Sequence, residues 1–303
     1  MQDDLNGILV VDKPENTTSA KVVGVVKRLL GAAKVGHTGT LDPFATGVLI
    51  CCVNRATKLS RFFLHGDKKY EAVLHLGLET DTQDATGIVT SVCDAIEFSD
   101  RTIRSVFNRF IGPAAQLPPV YSALKHKGVP LYKLARSGNP VQKPARRITI
   151  LTVEILEIHL PLIRFEVFCS AGTYIRTLCA DIGASLGCGG HLKELRRTET
   201  GGFSIADAVT LPELEKLAIG GKLTQRIIRM SDVLNHMPEY VAPGAMIEKI
   251  KHGHVITKQE IMPGEKGAAE GHIKIVDAQR KLVAVLKYTA DNDRYTYGCN
   301  FNN

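Results

Sequence analysis

GHTGTLDPFATGVLICCV, residues 36–53, sets a glycine- and threonine-rich loop directly against an apolar run. Three glycines and a proline between positions 36 and 47 demand backbone conformations that only a tight, particular loop requires. The run 48–53 reads as a strand. Asp42 is the single carboxylate of the loop, flanked by Leu41 and Pro43. At the rim of a sheet, partly desolvated, such a carboxylate serves as a nucleophile or base. The competing reading is an aspartate that only caps its own turn. The patterns G-x-x-x-x-G-K-[ST] and G-x-G-x-x-G are absent, so this is not one of the common phosphate-binding loops.

Outward from this loop, GILVV at 7–11 is a strand halted by Asp12-Lys13-Pro14. A helix is predicted over 19–30, with apolar residues at 22, 25, 26, 29 and 30, Ser19 as N-cap candidate and Gly31 as stop. KYEAVLHLG, 69–77, alternates like a strand, and 81–87 is rich in turn residues. A second helix, capped by Ser99, is predicted to run to 111. Strands at 148–159 and 162–170 lead into a helix over 173–186, and short strand-like runs recur at 273–276 and 282–288. Strands and helices mix without regular βαβ alternation, which favours an α+β fold. A boundary is expected near 230–238, where the charge balance changes.

The segment SAGTYIRTLCADIG, 170–183, places Arg176 in the first turn of its helix, on the loop side. There a guanidinium can pair with a carboxylate from elsewhere. Tyr70 and Tyr174 read equally as core aromatics or as stacking platforms for a base.

The chain holds 38 Lys and Arg against 31 Asp and Glu, a net charge of +7, but placement matters more than the total. Residues 101–153 contain no acid and ten bases: Arg101, Arg104, Arg109, Lys125, Lys127, Lys133, Arg136, Lys143, Arg146 and Arg147. From 232 onward, nine bases balance nine acids. Clustered charge of this kind is a footprint for a polyanion; the competing reading is a solvated basic face.

At 303 residues and 44% hydrophobic content the chain has material for about two domains, which excludes disorder and small disulfide scaffolds. Seven cysteines without a C-x-x-C pair indicate buried thiols in a reducing compartment. The acidic start MQDDLNG is unlike a signal peptide, and the longest uncharged apolar run, 44–53, is too short for a bilayer. A cytoplasmic protein without membrane contact is expected. No metal is expected: His37 and the Cys188/His191 pair lack the further ligands of a zinc site, and Asp81, Asp84 and Gly87 lack the rest of a calcium loop.

The 36–49 loop, with KVGHTGTLDP at its heart, resembles the catalytic signature of the TruB-type tRNA pseudouridine synthases. GILVVDKP, KKYEAVLHLG, QLPPVYSALKHKGVPLYKLARSG, SAGTYIRTLCADIG and HLKELRRTETGGF match in order across most of 5–210. The resemblance implies an α+β catalytic domain with a central mixed, mostly antiparallel sheet over 1–230. It implies an RNA-binding thumb insertion at about 116–147 and a small C-terminal PUA-like β-barrel over 231–303. It implies Asp42 as nucleophile, Tyr70 stacked on the target base and acting at its C5, and Arg176 paired with the carboxylate, with Tyr174 beside it. Leu195 would be an apolar wall, His37 would hold the opened T-loop, and Lys125, Lys127, Arg146 and Arg147 would contact RNA. The implied substrate is the tRNA T-arm stem-loop, modified at uridine 55 by a monomeric enzyme without cofactor or metal. Phe44 stands where many relatives carry Leu. Attack at C1′ and attack at C6 both stay open. The rival reading is a non-catalytic RNA-binding or tRNA-folding protein; a carboxylate-dependent hydrolase with an anionic substrate is more distant.

Overall fold

The computed structural model describes residues 5–261, 271–289 and 294–301. Its centre is an eleven-stranded sheet, mostly antiparallel. The main path runs Val209–Thr210, Gly7–Lys13, Thr46–Val53, Gly190–Thr200, Lys68–Leu76, Leu162–Cys169, Arg146–His159, Gly112–Gln116. The pivot is Gly190–Thr200. It pairs antiparallel with Lys68–Leu76 along its length, but parallel with Thr46–Val53 only at Arg196 and Arg197. Gly47 (φ 104°) makes that narrow approach possible, because a Cβ there would collide with the Arg197 backbone.

The helix Ser19–Leu30 has the bounds the periodicity predicts, and Gly31 closes it in the left-handed conformation. Its cap is Thr18, whose side chain accepts from the Lys21 amide, not Ser19. Ser19 is free for another task because it is buried and faces the 36–49 loop. The second helix, Asp100–Asn108, is capped by Ser99 as expected but stops three residues short of 111, in turns at Arg109 and Phe110. Helix Ile175–Leu186 lies so close to the pivot strand that Gly183 meets the backbone of Gly189 and Gly190, where no Cβ fits.

The acid-free segment leaves the sheet after Gly112–Gln116 and returns at Arg146–His159. Between them stand a small hairpin, Lys125–His126 with Val129–Pro130, and the helix Leu131–Arg136. Lys127 and Gly128 (φ 48° and 84°) form the hairpin's two-residue turn, the left-handed pair that matches strand twist.

The second sheet has the order Glu239–Val241, His272–Val276, Leu282–Thr289, Arg294–Asn300, Ile256–Thr257. It is a curled PUA-like sheet; among the described residues its two outer strands do not pair, so it is an open half-barrel. A single apolar cluster joins it to the large sheet, from Ile8, Ile50 and Phe63 through Leu234 to Val285 and Phe301. Arg55, Lys58 and Arg61 donate to the carbonyls of Phe301, Asn300 and Gly298 at 2.7, 2.7 and 2.9 Å. No described helix is long and apolar enough to cross a membrane.

Candidate active site

Asp42 is fixed from both sides by its neighbours. Ser19 Oγ accepts from the Leu41 amide (3.0 Å) and donates to the Leu41 carbonyl (3.1 Å). Lys13 Nζ, fully buried, donates to the carbonyls of Pro43, Thr17 and Pro14 at 3.1, 2.6 and 2.9 Å. Burial lowers the Lys13 pKa to about 8. The loop that brings Asp42 to the sheet rim is thus stapled to two preceding elements.

Asp42 Oδ2 meets Arg176 Nε at 3.0 Å, with 34% of the Asp42 side chain exposed against 4% of Arg176. The carboxylate therefore faces the cleft and the guanidinium stands behind it. Arg176 spends its remaining donors inside the protein. Nη1 donates to the Thr82 carbonyl (3.0 Å) and lies 3.5 Å from Asp84 Oδ2; Nη2 donates to the Tyr121 carbonyl (3.0 Å). Burial pushes the Asp42 carboxyl above the usual range, Arg176 pulls it back, Asp84 pushes it up again and Lys13 opposes. One planar cation thus opposes the burial that would otherwise neutralise this carboxylate.

The 81–87 turn engages its central carboxylate with its own groups. Asp84 is buried, and its Oδ1 accepts from the Thr82 hydroxyl, the Thr86 amide and the Thr86 hydroxyl at 2.8, 2.9 and 2.6 Å. That leaves Oδ2 aimed at Arg176. Sequence reasoning reaches Asp84 only as a calcium ligand. The signal it misses is the pair of threonines around one aspartate, the pattern of a side chain satisfied locally and oriented outward.

Tyr70 lies on Lys68–Leu76 directly opposite Arg197. Arg197 is 1% exposed, donates to the carbonyls of Val48 (2.8 Å) and Gly39 (3.1 Å), and hydrogen-bonds Tyr70. Burial raises the Tyr70 pKa, and Arg197 opposes the rise. Arg197 is the second residue missed. Strand alternation could have found it, since it shares a face with Leu195, while Arg196 pairs with Asp12 at 2.7 Å.

These side chains line one open cleft of about 380 Å³, whose wall includes Asp42, Tyr70, Arg146, Tyr174, Arg176 and Leu195. The size suits a single nucleobase with its sugar. Arg146 lies 4.6 Å over the Tyr174 ring, and its Nη2 donates to the Gly172 carbonyl. Ala123 and Leu124 of the acid-free segment close the far side. His37, Lys125, Lys127 and Arg147 stand outside this wall. His37 is half-buried on Val35–His37, its pKa lowered by burial and by Arg197. Lys125 and Lys127 are exposed on the hairpin, and Arg147 is exposed beside Arg146.

Known proteins resemble this chain in sequence and in fold. Residues 27–175 match the profile of the TruB family pseudouridylate synthase N-terminal domain, and residues 176–237 that of the tRNA pseudouridylate synthase B C-terminal domain. The tRNA pseudouridine synthase B of Syntrophotalea carbinolica is 43% identical over 249 residues, covering 82% of this chain and 81% of that one. The protein of the same name from Francisella tularensis subsp. tularensis is 41% identical over 286 residues, covering 94% and 92%. Among solved structures, a chain of a Cbf5-Nop10-Gar1 complex superposes with a TM-score of 0.74 at 26% identity, covering 98% of this chain and 86% of that one. A chain of an H/ACA RNP bound to a substrate RNA containing 2′-deoxyuridine gives 0.71 at 26% identity, covering 97% and 82%. With sequence relatives matching across most of its length and a fold shared with these solved chains, the protein belongs to the TruB family of pseudouridylate synthases.

Proposed function

We propose that this chain converts uridine 55 in the T-loop of tRNA to pseudouridine, with Asp42 as nucleophile. The observation that carries the reading is the Asp42 carboxylate, open to a nucleobase-sized cleft and held 3.0 Å from a buried arginine. The reaction breaks N1–C1′, turns the uracil and joins C5 to C1′. The C5 hydrogen leaves as a proton and N1 gains one, so atoms and charge balance without an outside reagent. A uridine in a folded loop must first leave its stack, at a cost of a few kcal/mol. Stacking on an aromatic such as Tyr70 offsets roughly 1–3 kcal/mol of that. Leu195 would form the apolar wall, Tyr174 the neighbouring one, and His37 would lie against the opened loop outside the cleft. We place the catalytic unit at 1–230, the thumb at 116–147 and the PUA-like unit at 231–303. The protein would act as a cytoplasmic monomer, as the family resemblance implies. The direct test is to treat unmodified tRNA with the purified protein and map the modified uridines. Conversion at position 55 supports the reading; no conversion, or conversion elsewhere only, refutes it.

The thumb supplies a second test. Lys125, Lys127 and Arg147 are exposed, and Arg146 opens onto the cleft. Neutralising all four weakens tRNA binding and flattens its salt dependence. The slope of log K against log[salt] falls by up to about 0.7–0.9 for each phosphate that no longer meets a cation. Neutralising Lys249, Lys251 and Lys258 in the charge-balanced tail changes the slope much less. Anisotropy titrations at several salt concentrations read both variants. Equal slopes would mean that the basic segment is only a solvated face.

A further inference from the structure

We propose that Gln116 is a positioning residue that ties the root of the thumb to the turn carrying Tyr174 and Arg176, making the thumb part of the device that holds the catalytic ion pair. This rests on the reading of Asp42 and Arg176 given above.

Gln116 ends the strand Gly112–Gln116 and lies opposite Arg146 in the register, so the two residues stand at the mouth of the excursion. Its side chain is buried, yet it does not pack as a core residue: it grips one backbone unit at both ends. The Tyr174 N–H donates to Gln116 Oε1 at 2.8 Å, and Gln116 Nε2 donates to the Tyr174 carbonyl at 3.0 Å. Only one orientation of the amide satisfies both bonds. Tyr174 is the N-cap position of Ile175–Leu186, and its own side chain makes no capping bond. Gln116 therefore satisfies a donor that the start of this helix leaves open.

Arg146 grips the same turn from the returning strand, through the Gly172 carbonyl and the Tyr174 ring. Further along the thumb, the Tyr121 carbonyl accepts from Arg176 Nη2 at 3.0 Å, while the Tyr121 phenol donates to Asp81 Oδ2 at 3.1 Å. The thumb thus holds the 172–176 turn at its root and touches the catalytic arginine itself. Releasing the Gln116 grip frees this turn and loosens Arg176 from Asp42. Asp42 faces Arg176, Lys13 and Asp84. Losing the nearest cation lets burial and Asp84 raise its pKa further. The attacking form is the carboxylate, so activity is then lost at a higher pH as the solution is acidified.

The test is Gln116→Met, which keeps the shape and removes both hydrogen bonds. At saturating tRNA, kcat is expected to fall about tenfold or more while tRNA Kd stays within about threefold. The acid limb of the pH–rate profile is expected to move up by about half a unit or more. A residue that only supports the fold would move neither kcat at saturation nor the acid limb, and a folded variant with both unchanged overturns the proposal. Should Gln116→Met not fold, Gln116→Asn carries the same test, since the shorter amide cannot span both Tyr174 groups. Hydrogen exchange of the Tyr174 amide judges the grip apart from catalysis: faster exchange in the variant is expected, and equal protection refutes it. An inactive wild-type protein would refute the proposed function, and this exchange measurement would still decide the grip.

Discussion

Asp42→Asn is expected to abolish pseudouridine formation and to leave tRNA affinity within about tenfold of the parent, because phosphate contacts away from this side chain would carry most of the affinity. The substitution keeps volume and shape. Its carboxamide still fills the place beside Arg176 Nε, which stands 3.0 Å from the carboxylate, and Asp84 still compensates the guanidinium from 3.5 Å. The buried cation is not stranded, so the fold stays intact and the lost rate reports chemistry. What disappears is the charged oxygen able to attack the nucleotide. Nucleoside analysis of tRNA after reaction reads the outcome, and residual activity above about a tenth of wild type would refute Asp42 as nucleophile.

Arg176→Lys is expected to remove most of the activity although the charge is kept. The guanidinium serves the Asp42 and Asp84 carboxylates and the Thr82 and Tyr121 carbonyls from one plane. An ammonium on a shorter, unforked stem cannot meet all of them in that geometry. Buried acceptors left without a donor cost about 1–3 kcal/mol each, so a lower Tm accompanies the loss of rate. Measuring kcat at saturating tRNA alongside thermal unfolding checks both. Normal turnover would show that the ion pair does not serve the reaction.

The elements that local periodicity controls are legible in the sequence. Residues 19–30 form the predicted helix because their apolar spacing and the following Gly31 fix both its face and its end. The loop-then-strand pattern at 36–53 places Asp42 at a sheet rim, and the helix position of Arg176 suggests a carboxylate partner. What stays hidden depends on contacts between distant segments. Asp84 acquires its task only because its turn meets a helix some ninety residues later. Gln116 ends an unremarkable strand, and nothing in its neighbourhood announces Tyr174 as its partner. Ser19 misleads in an instructive way: a serine at a helix start is normally a cap, but Thr18 takes that role and Ser19 pins Leu41. Arg197 is overlooked because adjacent arginines look like a surface pair, although its alternation with Leu195 marks the buried face.

The apolar cluster shared by the two sheets bears on how the chain is made. Ile8 and Ile50, synthesised early, share a core with Val285, Cys299 and Phe301, synthesised some 230 or more residues later. On a translating ribosome the cover over the back of the large sheet stays incomplete until the strand Arg294–Asn300 has emerged. A premature stop codon far from Asp42 would therefore leave the amino-terminal half as a sticky, chaperone-dependent fragment rather than a smaller enzyme.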